Sequence, residues 1–203
     1  MKIKEYLKEY SSYQKAARLW WNILDDIRTW KFFILSSIPG KFGIYLRSKL
    51  LAKQLGSCGK SPVIMQNFKV DNPHRLFIGD YFRCNVDVYI SAGGTVEIGN
   101  NVLIAASVRV WSINHNFDRL DIPIVDQGWT KSKVVIEDDV WIATNAIILP
   151  GVHIGKGSVI GSGSVLGKSV RPYSIVGGNP GRIMRYRVSK EEYFKKEVVS
   201  LFN

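Results

Sequence analysis

Residues 136–171 read IEDDVW, IATNAI, ILPGVH, IGKGSV, IGSGSV and LGKSVR, six consecutive blocks of six. An aliphatic residue opens every block, and four places later stands a small or β-branched one: Val140, Ala146, Val152, Ser158, Ser164 and Val170. Six matches at both positions arise by chance in well under about one sequence in a thousand. An amphipathic helix repeats its apolar residues every 3.6 positions and a half-buried strand every second one, so neither produces a strict six. A coil with flat faces does. Each face takes one block, the opening side chain points inward, and successive coils stack it on its equivalents.

The same rhythm appears upstream. Ile78, Cys84 and Ile90 share one register, and Ile98, Ile104 and Val110 share another, offset by two residues at Gly93-Gly94-Thr95. That glycine pair reads as a corner or a small bulge. Segment 60–77, with Val63, Phe68, Val70 and Leu76, reads as an imperfect capping coil, as terminal repeats usually are. Between Val110 and Val134 the period stops over WSINHNFDRLDIPIVDQGWTKSK. This excursion, taken as a loop over 112–133, leaves one edge of a repetitive body, and loops of that length without structure of their own are usually functional.

Residues 1–56 belong to something else. Leu19, Ile23, Ile27, Trp30 and Ile34 recur at three- and four-residue steps, a helical apolar stripe that Ser36-Ser37-Ile38-Pro39-Gly40 breaks. A second, basic helical stretch follows, with Ile44, Leu51 and Leu55 on one side and Lys41, Arg47, Lys49 and Lys53 interspersed. Two readings stand: helices packed over the open end of the coil stack, or an amphipathic platform on an anionic membrane surface. The expected organisation is therefore an N-terminal helical extension over 1–56, a repeat domain over 57–187 and a short C-terminal helix over 188–203.

Composition narrows the partners. The formal net charge is +11, from 28 Lys and Arg against 17 Asp and Glu, which favours an anionic partner such as phosphates, an acidic polymer or a membrane surface. Cys58 and Cys84 are the only cysteines, 26 residues apart and in no metal-type cluster, so a reduced cytoplasmic setting is expected over a disulfide-stapled one. The opening MKIKEYLKEY is too charged to begin the apolar core of a secretory signal, and no apolar run approaches the roughly 18–20 residues that span a bilayer. The expected location is the cytoplasm, at the inner face of the membrane if residues 1–56 dock there.

The segment VWIATNAIILPGVHIGKGSVIGSGSVLGKSVRPYSIVGGNPGRIMRYR closely resembles the signature of the hexapeptide-repeat acyltransferases, enzymes of left-handed parallel β-helix fold. The upstream INHNF and the loop's IPIVDQGW further resemble a branch that O-acetylates bacterial surface polysaccharides, with galactoside and maltose acetyltransferases as more distant relatives. The resemblance covers roughly residues 60–187. It implies the all-β left-handed parallel β-helix as fold class, acetyl-coenzyme A as donor, a homotrimer, active sites at the subunit interfaces, a saccharide acceptor and no metal.

It also implies residue roles. His115, in Asn114-His115-Asn116-Phe117, stands where the family carries its catalytic base, and Asn85 in RCNVDV matches the acceptor-side asparagine. Trp141 matches an aromatic beside the pantetheine arm; Ala105, Ala143, Thr144, Ser162 and Gly167 match the stretch along which that arm lies. Lys168, Arg182 and Arg185 match positions that contact the nucleotide end. Two departures stand out: Ala143 replaces the glycine usual in the family's WIG, and Gly167 replaces a common threonine or serine.

The chemistry agrees with one histidine as base. A sugar hydroxyl is a poor nucleophile while protonated, so attack on a thioester needs a base near neutral pH, whereas a thiolate with a pKa near about 8.5 leaves without a strong acid. Of the three histidines, His153 ends its block and is expected to point outward at a corner, and His74 has no partner that spacing supplies. Transfer to an amine of an amino sugar uses the same base and stays open as the alternative. A zinc enzyme on this scaffold would need histidines that meet, and no short-spaced pair exists. A binding face for ice or a polymer would need ranks of one residue type, and the threonines do not stack at the period. No nucleic-acid recognition motif is present.

Overall fold

The computed structural model describes residues 33–189, together with Trp30 and Glu192. Most of the apolar stripe from Leu19 to Ile27 and most of the proposed C-terminal helix over 188–203 lie outside the described residues. Among those described, three parallel sheets form the faces of a prism of about six turns, a left-handed parallel β-helix. The first face stacks Ser57–Cys58, Leu76–Ile78, Val96–Ile98, Val134–Ile136 and His153–Ile154; the second runs from Val63–Ile64 through Arg83–Cys84, Leu103–Ile104, Trp141–Ile142 and Val159–Ile160 to Ser174–Gly177. The third face stacks Lys69–Asp71, Tyr89–Ser91, Arg109–Trp111, Ile147–Ile148 and Val165–Leu166.

The six-residue blocks map onto these faces one by one. Ile136, Ile142, Ile148, Ile154, Ile160 and Leu166 are all buried, as are Ile78, Cys84, Ile90, Ile98, Ile104 and Val110 above them. Parallel pairing stacks like on like, for instance Ile104 on Ile142 and Ile142 on Ile160. Three places after Ile136, Ile142, Ile148, Ile154 and Ile160 the chain turns a corner through the left-handed region: φ is 57° at Asp139, 60° at Asn145, 82° at Gly151 and 67° at both Gly157 and Gly163. Only glycine enters that region freely, while asparagine and aspartate tolerate it through local hydrogen bonding, so the letters at this place are not arbitrary.

In the capping coil Ile64, not Val63, is the buried residue of its strand, and Phe68 fills the coil below the helical cap. The cap itself comprises a short helix over 33–37, a break confined to Ile38-Pro39 where Ser36 to Gly40 was expected, then the helix Gly40–Leu46 continuing as Arg47–Leu51 and Ala52–Gln54. It closes the end of the prism: Leu51 is part of the core, with Leu35 and Leu55 packed against it. Arg47, one of the interspersed cations, is fully buried. Its Nε donates to the Ile64 carbonyl at 2.9 Å and its Nη1 donates to the carbonyls of Ile38 at 2.6 Å and Leu35 at 3.1 Å. A single guanidinium thus satisfies carbonyls left open at the end of the 33–37 helix and ties them to the first coil. Burial pulls its pKa below the usual value.

Two further expectations are corrected by the fold. The excursion over 112–133 has structure of its own, an antiparallel hairpin pairing Ile113–His115 with Trp129–Lys131. His153 points outward from a flat face, not from a corner, with Nε2 2.6 Å from Glu137 Oε1. Trp141 likewise stands on the second face, in register with Leu103 and Val159.

Candidate functional site

The hairpin leaves the prism at the end of the third face, and two serines fix its neck. Ser112, fully buried, donates its Oγ–H to the Ser91 carbonyl at 2.6 Å, accepts the Gly94 N–H at 2.9 Å, and takes the Ser132 N–H on its carbonyl at 2.9 Å. Gly94 is required there, since a Cβ at that position would lie 2.0 Å from the Ser112 carbonyl oxygen. Farther out, Asn116 accepts from the Thr130 hydroxyl, donates its Nδ2 to the Gln127 carbonyl at 3.0 Å and its backbone N–H to Gly128 at 3.1 Å. Gln127 in turn accepts the Arg119 N–H at 3.0 Å and donates to the Arg119 carbonyl at 2.7 Å. Backbone hydrogen bonds closed by side chains of this kind make a long loop behave as a rigid element.

His115 projects from this hairpin into a cleft of about 910 Å³. It stands directly opposite Trp129 across the hairpin, with ring centroids 4.1 Å apart and planes tilted by 34°. The imidazole is exposed, so a substrate reaches it without rearrangement. The third face supplies one wall. Tyr89 donates its hydroxyl proton to Asp71, and its ring meets Trp111 edge-on at 5.1 Å. Partial burial, followed by the Asp71 carboxylate, pushes the Tyr89 phenol up to about 12, so it remains a donor through the whole neutral range. Leu149, Pro150 and Gly167 of the succeeding coils close the far side. A Cβ on Gly167 would touch only Leu149 Cδ1, at 3.4 Å, so glycine at this position widens the cleft and is not a backbone necessity.

The remaining predicted residues, Lys168 excepted, lie on a different edge. Asn85, Ala105 and Ala143 occupy the same corner in successive coils, their N–H groups donating to the carbonyls of Ile104, Ile142 and Ile160 at 2.8 Å each. Thr144 and Ser162 continue along this corner as exposed residues, and Gly163 donates to the Thr144 carbonyl at 2.9 Å. The result is a smooth edge between the second and third faces, with Trp141 beside it, 46% exposed. Arg182 and Arg185 follow on the strand Arg182–Tyr186, which pairs antiparallel with Ser174–Gly177 at the end of the second face. Lys168 sits next to Gly167, on the His115 side. Within one chain, Asn85 is therefore not a neighbour of His115 and does not line its cleft.

Asp71, Tyr89, Trp111 and Trp129 are site residues that the sequence reading did not single out. Their signal lay in the hexad register: Asp71, Ser91 and Trp111 stack at one outward position of the third face, and Lys69, Tyr89 and Arg109 at another. An aromatic or acidic residue breaking an outward column beside the excursion was legible once the excursion's starting edge was fixed.

A profile described as "Bacterial transferase hexapeptide (six repeats)" matches residues 133–168. Among curated proteins, the putative colanic acid biosynthesis acetyltransferase WcaF of Escherichia coli (strain K12) is 29% identical over 86% of this chain and 88% of its own. Among solved structures, the hexapeptide-repeat-containing acetyltransferase VCA0836 of Vibrio cholerae O1 biovar eltor, complexed with acetyl coenzyme A, superposes with a TM-score of 0.69 at 30% identity, covering 76% of this chain and 82% of that one. A maltose O-acetyltransferase from Clostridium difficile 630 superposes with a TM-score of 0.72 at 31% identity, covering 78% and 84%.

Proposed function

This chain belongs to the hexapeptide-repeat acetyltransferase family, and on that premise we propose that it moves an acetyl group from acetyl-coenzyme A to a hydroxyl of a bacterial surface polysaccharide or its precursor, with His115 as general base. The observation that carries the reading is the exposed His115 ring, held against Trp129 on a hydrogen-bonded hairpin at the mouth of a sugar-sized cleft. The likeness to WcaF supports a polysaccharide acceptor, the maltose enzyme supports oxygen as the acceptor atom, and the V. cholerae complex supports the donor.

In this mechanism the His115 imidazole takes the proton of the sugar hydroxyl as the oxygen attacks the thioester carbonyl. The C–O bond forms, the tetrahedral intermediate collapses with cleavage of the C–S bond, and the thiolate leaves with the proton that His115 then returns. No acetyl-enzyme forms. Trp111 and Trp129 offer apolar faces for a sugar ring, and Asp71 and Tyr89 offer polar groups for its hydroxyls.

The donor belongs on the other edge. Ala105, Ala143, Thr144 and Ser162 leave a shallow track for the pantetheine arm, Trp141 flanks it, and Arg182 and Arg185 at its end suit the nucleotide phosphates. Because that track and His115 lie on separate edges of one prism, the reading requires a second copy to bring its track to the first copy's histidine. A homotrimer with three interfacial sites satisfies this, and places one copy's Asn85 at another copy's cleft.

The test incubates the protein with acetyl-coenzyme A and a panel of glycans, following thiol release. Mild alkali then distinguishes an ester, which is cleaved, from an amide, which survives. Thiol release only with glycans, and an alkali-labile product, are expected; an alkali-stable product made only from amino sugars would move the assignment to N-acetylation.

A further inference from the structure

The outward surface of the helical cap has its polarity reversed. A helix lying on a soluble domain normally buries its apolar stripe and shows charge to water. Here the inward positions of the longer helix are Gly43, Arg47 and Leu51, all buried, while Phe42 and Tyr45 are 66% and 55% exposed. The preceding turn repeats the pattern, with Trp30, Phe33 and Ile34 at 65%, 60% and 55% exposed and Ser36 buried. Leu50 extends the same apolar ground.

Charge on this ground is of one sign. Between Asp26 and Asp71 the sequence has no acidic residue at all. Lys41, Lys49 and Lys53 are exposed among the aromatics, and the Lys49 ammonium lies 5.3 Å from the Tyr45 ring centroid while donating to its hydroxyl at 3.0 Å. Aromatic rings, lysines on flexible stems and no carboxylate from residues 27–70 are the composition of a surface that settles into the headgroup layer of an anionic bilayer. No helix of the described residues is long and apolar enough to cross a membrane, so the contact is with the surface.

We infer that the helical cap, through its exposed Trp30, Phe33, Phe42 and Tyr45 with Lys41 and Lys49, docks the enzyme on an anionic lipid bilayer. The position of the cleft fits this orientation. Phe33 also lines a groove of about 480 Å³ with Lys69, Arg109, Asp87 and Tyr89, two cations against one carboxylate, and Tyr89 is the residue this groove shares with the His115 cleft. Docking would therefore hold the His115 cleft close to the bilayer, within reach of a membrane-attached glycan. The docking claim itself does not depend on the acceptor's identity.

The experiment uses the full chain with vesicles of phosphatidylcholine alone or with about 30 mol% phosphatidylglycerol, separated by flotation. Co-flotation with the anionic vesicles only, falling with ionic strength, is expected. The double variant Lys41→Ala/Lys49→Ala should lower partitioning about twenty-five-fold, from two surface cations at roughly fivefold each. Phe42→Ala should lower it about tenfold. These exposed changes should leave thermal unfolding and transfer to a soluble glycan as in wild type. Failure to bind anionic vesicles would overturn the inference, as would equal binding to both vesicle types. A change in oligomer mass caused by Phe42→Ala without any vesicle binding would overturn it too, by showing a protein interface in its place. Each result is independent of whether acetyl transfer itself is found.

Discussion

Replacing Gly94 with alanine tests how the prism holds its histidine. A Cβ at this position would lie 2.0 Å from the Ser112 carbonyl oxygen and 2.8 Å from the Ser132 nitrogen, and both are backbone atoms that cannot swing away. These atoms form the hydrogen bond that closes the hairpin neck, at 2.9 Å. Relief requires the neck to open, losing that bond and straining the Gly94 to Ser112 contact. Overpacking of this kind costs about 1–3 kcal/mol and each lost bond about 1 kcal/mol, so a total near 2–4 kcal/mol is expected. A displacement of His115 by about 1 Å lowers turnover on the order of a hundredfold. Gly93 supplies the control, since its Cβ would meet nothing closer than 3.4 Å. Urea unfolding and thiol-release kinetics on Gly93→Ala and Gly94→Ala should then separate sharply, the first close to wild type and the second impaired in both. Equal behaviour of the two variants would refute the clamped-neck explanation of how His115 is positioned.

Other outcomes follow from the same geometry. His115→Ala should lower turnover by about 10² to 10⁴ with unchanged thermal unfolding, measured by thiol release and calorimetry. Trp141→Ala should raise the KM for acetyl-coenzyme A with little effect on stability, because the ring is 46% exposed in the isolated chain. Ile142→Ala, in the middle of the stack and fully buried, should cost about 2–5 kcal/mol in urea unfolding. Arg47→Met should loosen the helical cap by removing donors to the Ile64, Leu35 and Ile38 carbonyls, seen as faster proteolysis within residues 33–56. The Tyr89 phenol, raised to about 12 in the folded chain, favours the folded state fully below its unfolded value near 10. That contribution disappears as pH climbs from about 10 to 12, so the wild type should lose stability over this window and Tyr89→Phe should lack that part of the slope.

The repeat was legible because its cause is local and periodic. Each hexad carries its inward residue and its left-handed corner in the letters themselves, as Ile142 with Asn145 or Ile160 with Gly163 illustrate. The two-residue slip at Gly93-Gly94-Thr95 was also legible, and its purpose became clear only with the Ser112 carbonyl beside it. The hairpin was not foreseen, because its pairing joins Ile113–His115 to Trp129–Lys131 across residues 116–128, a connection far longer than the short turns that announce a hairpin. The burial of Arg47 was not legible for a related reason: the carbonyls that it satisfies come from residues 9 to 17 positions away. Of the site, His115 and the small-residue edge came from the motif. Asp71 and Tyr89 did not, since their relation runs between coils 18 residues apart.

In the proposed enzyme two copies complete each catalytic site, His115 coming from one and the Ala143 to Ser162 edge from another. Subunit exchange tests it directly, by mixing His115→Ala with Ser162→Trp, each inactive alone because one lacks the base and the other has its donor track blocked. If sites form between copies, random reassembly at equal amounts restores about a quarter of the wild-type activity, since each site draws its two halves independently. A mixture as inactive as its components, after exchange has been verified by mass, would contradict the account.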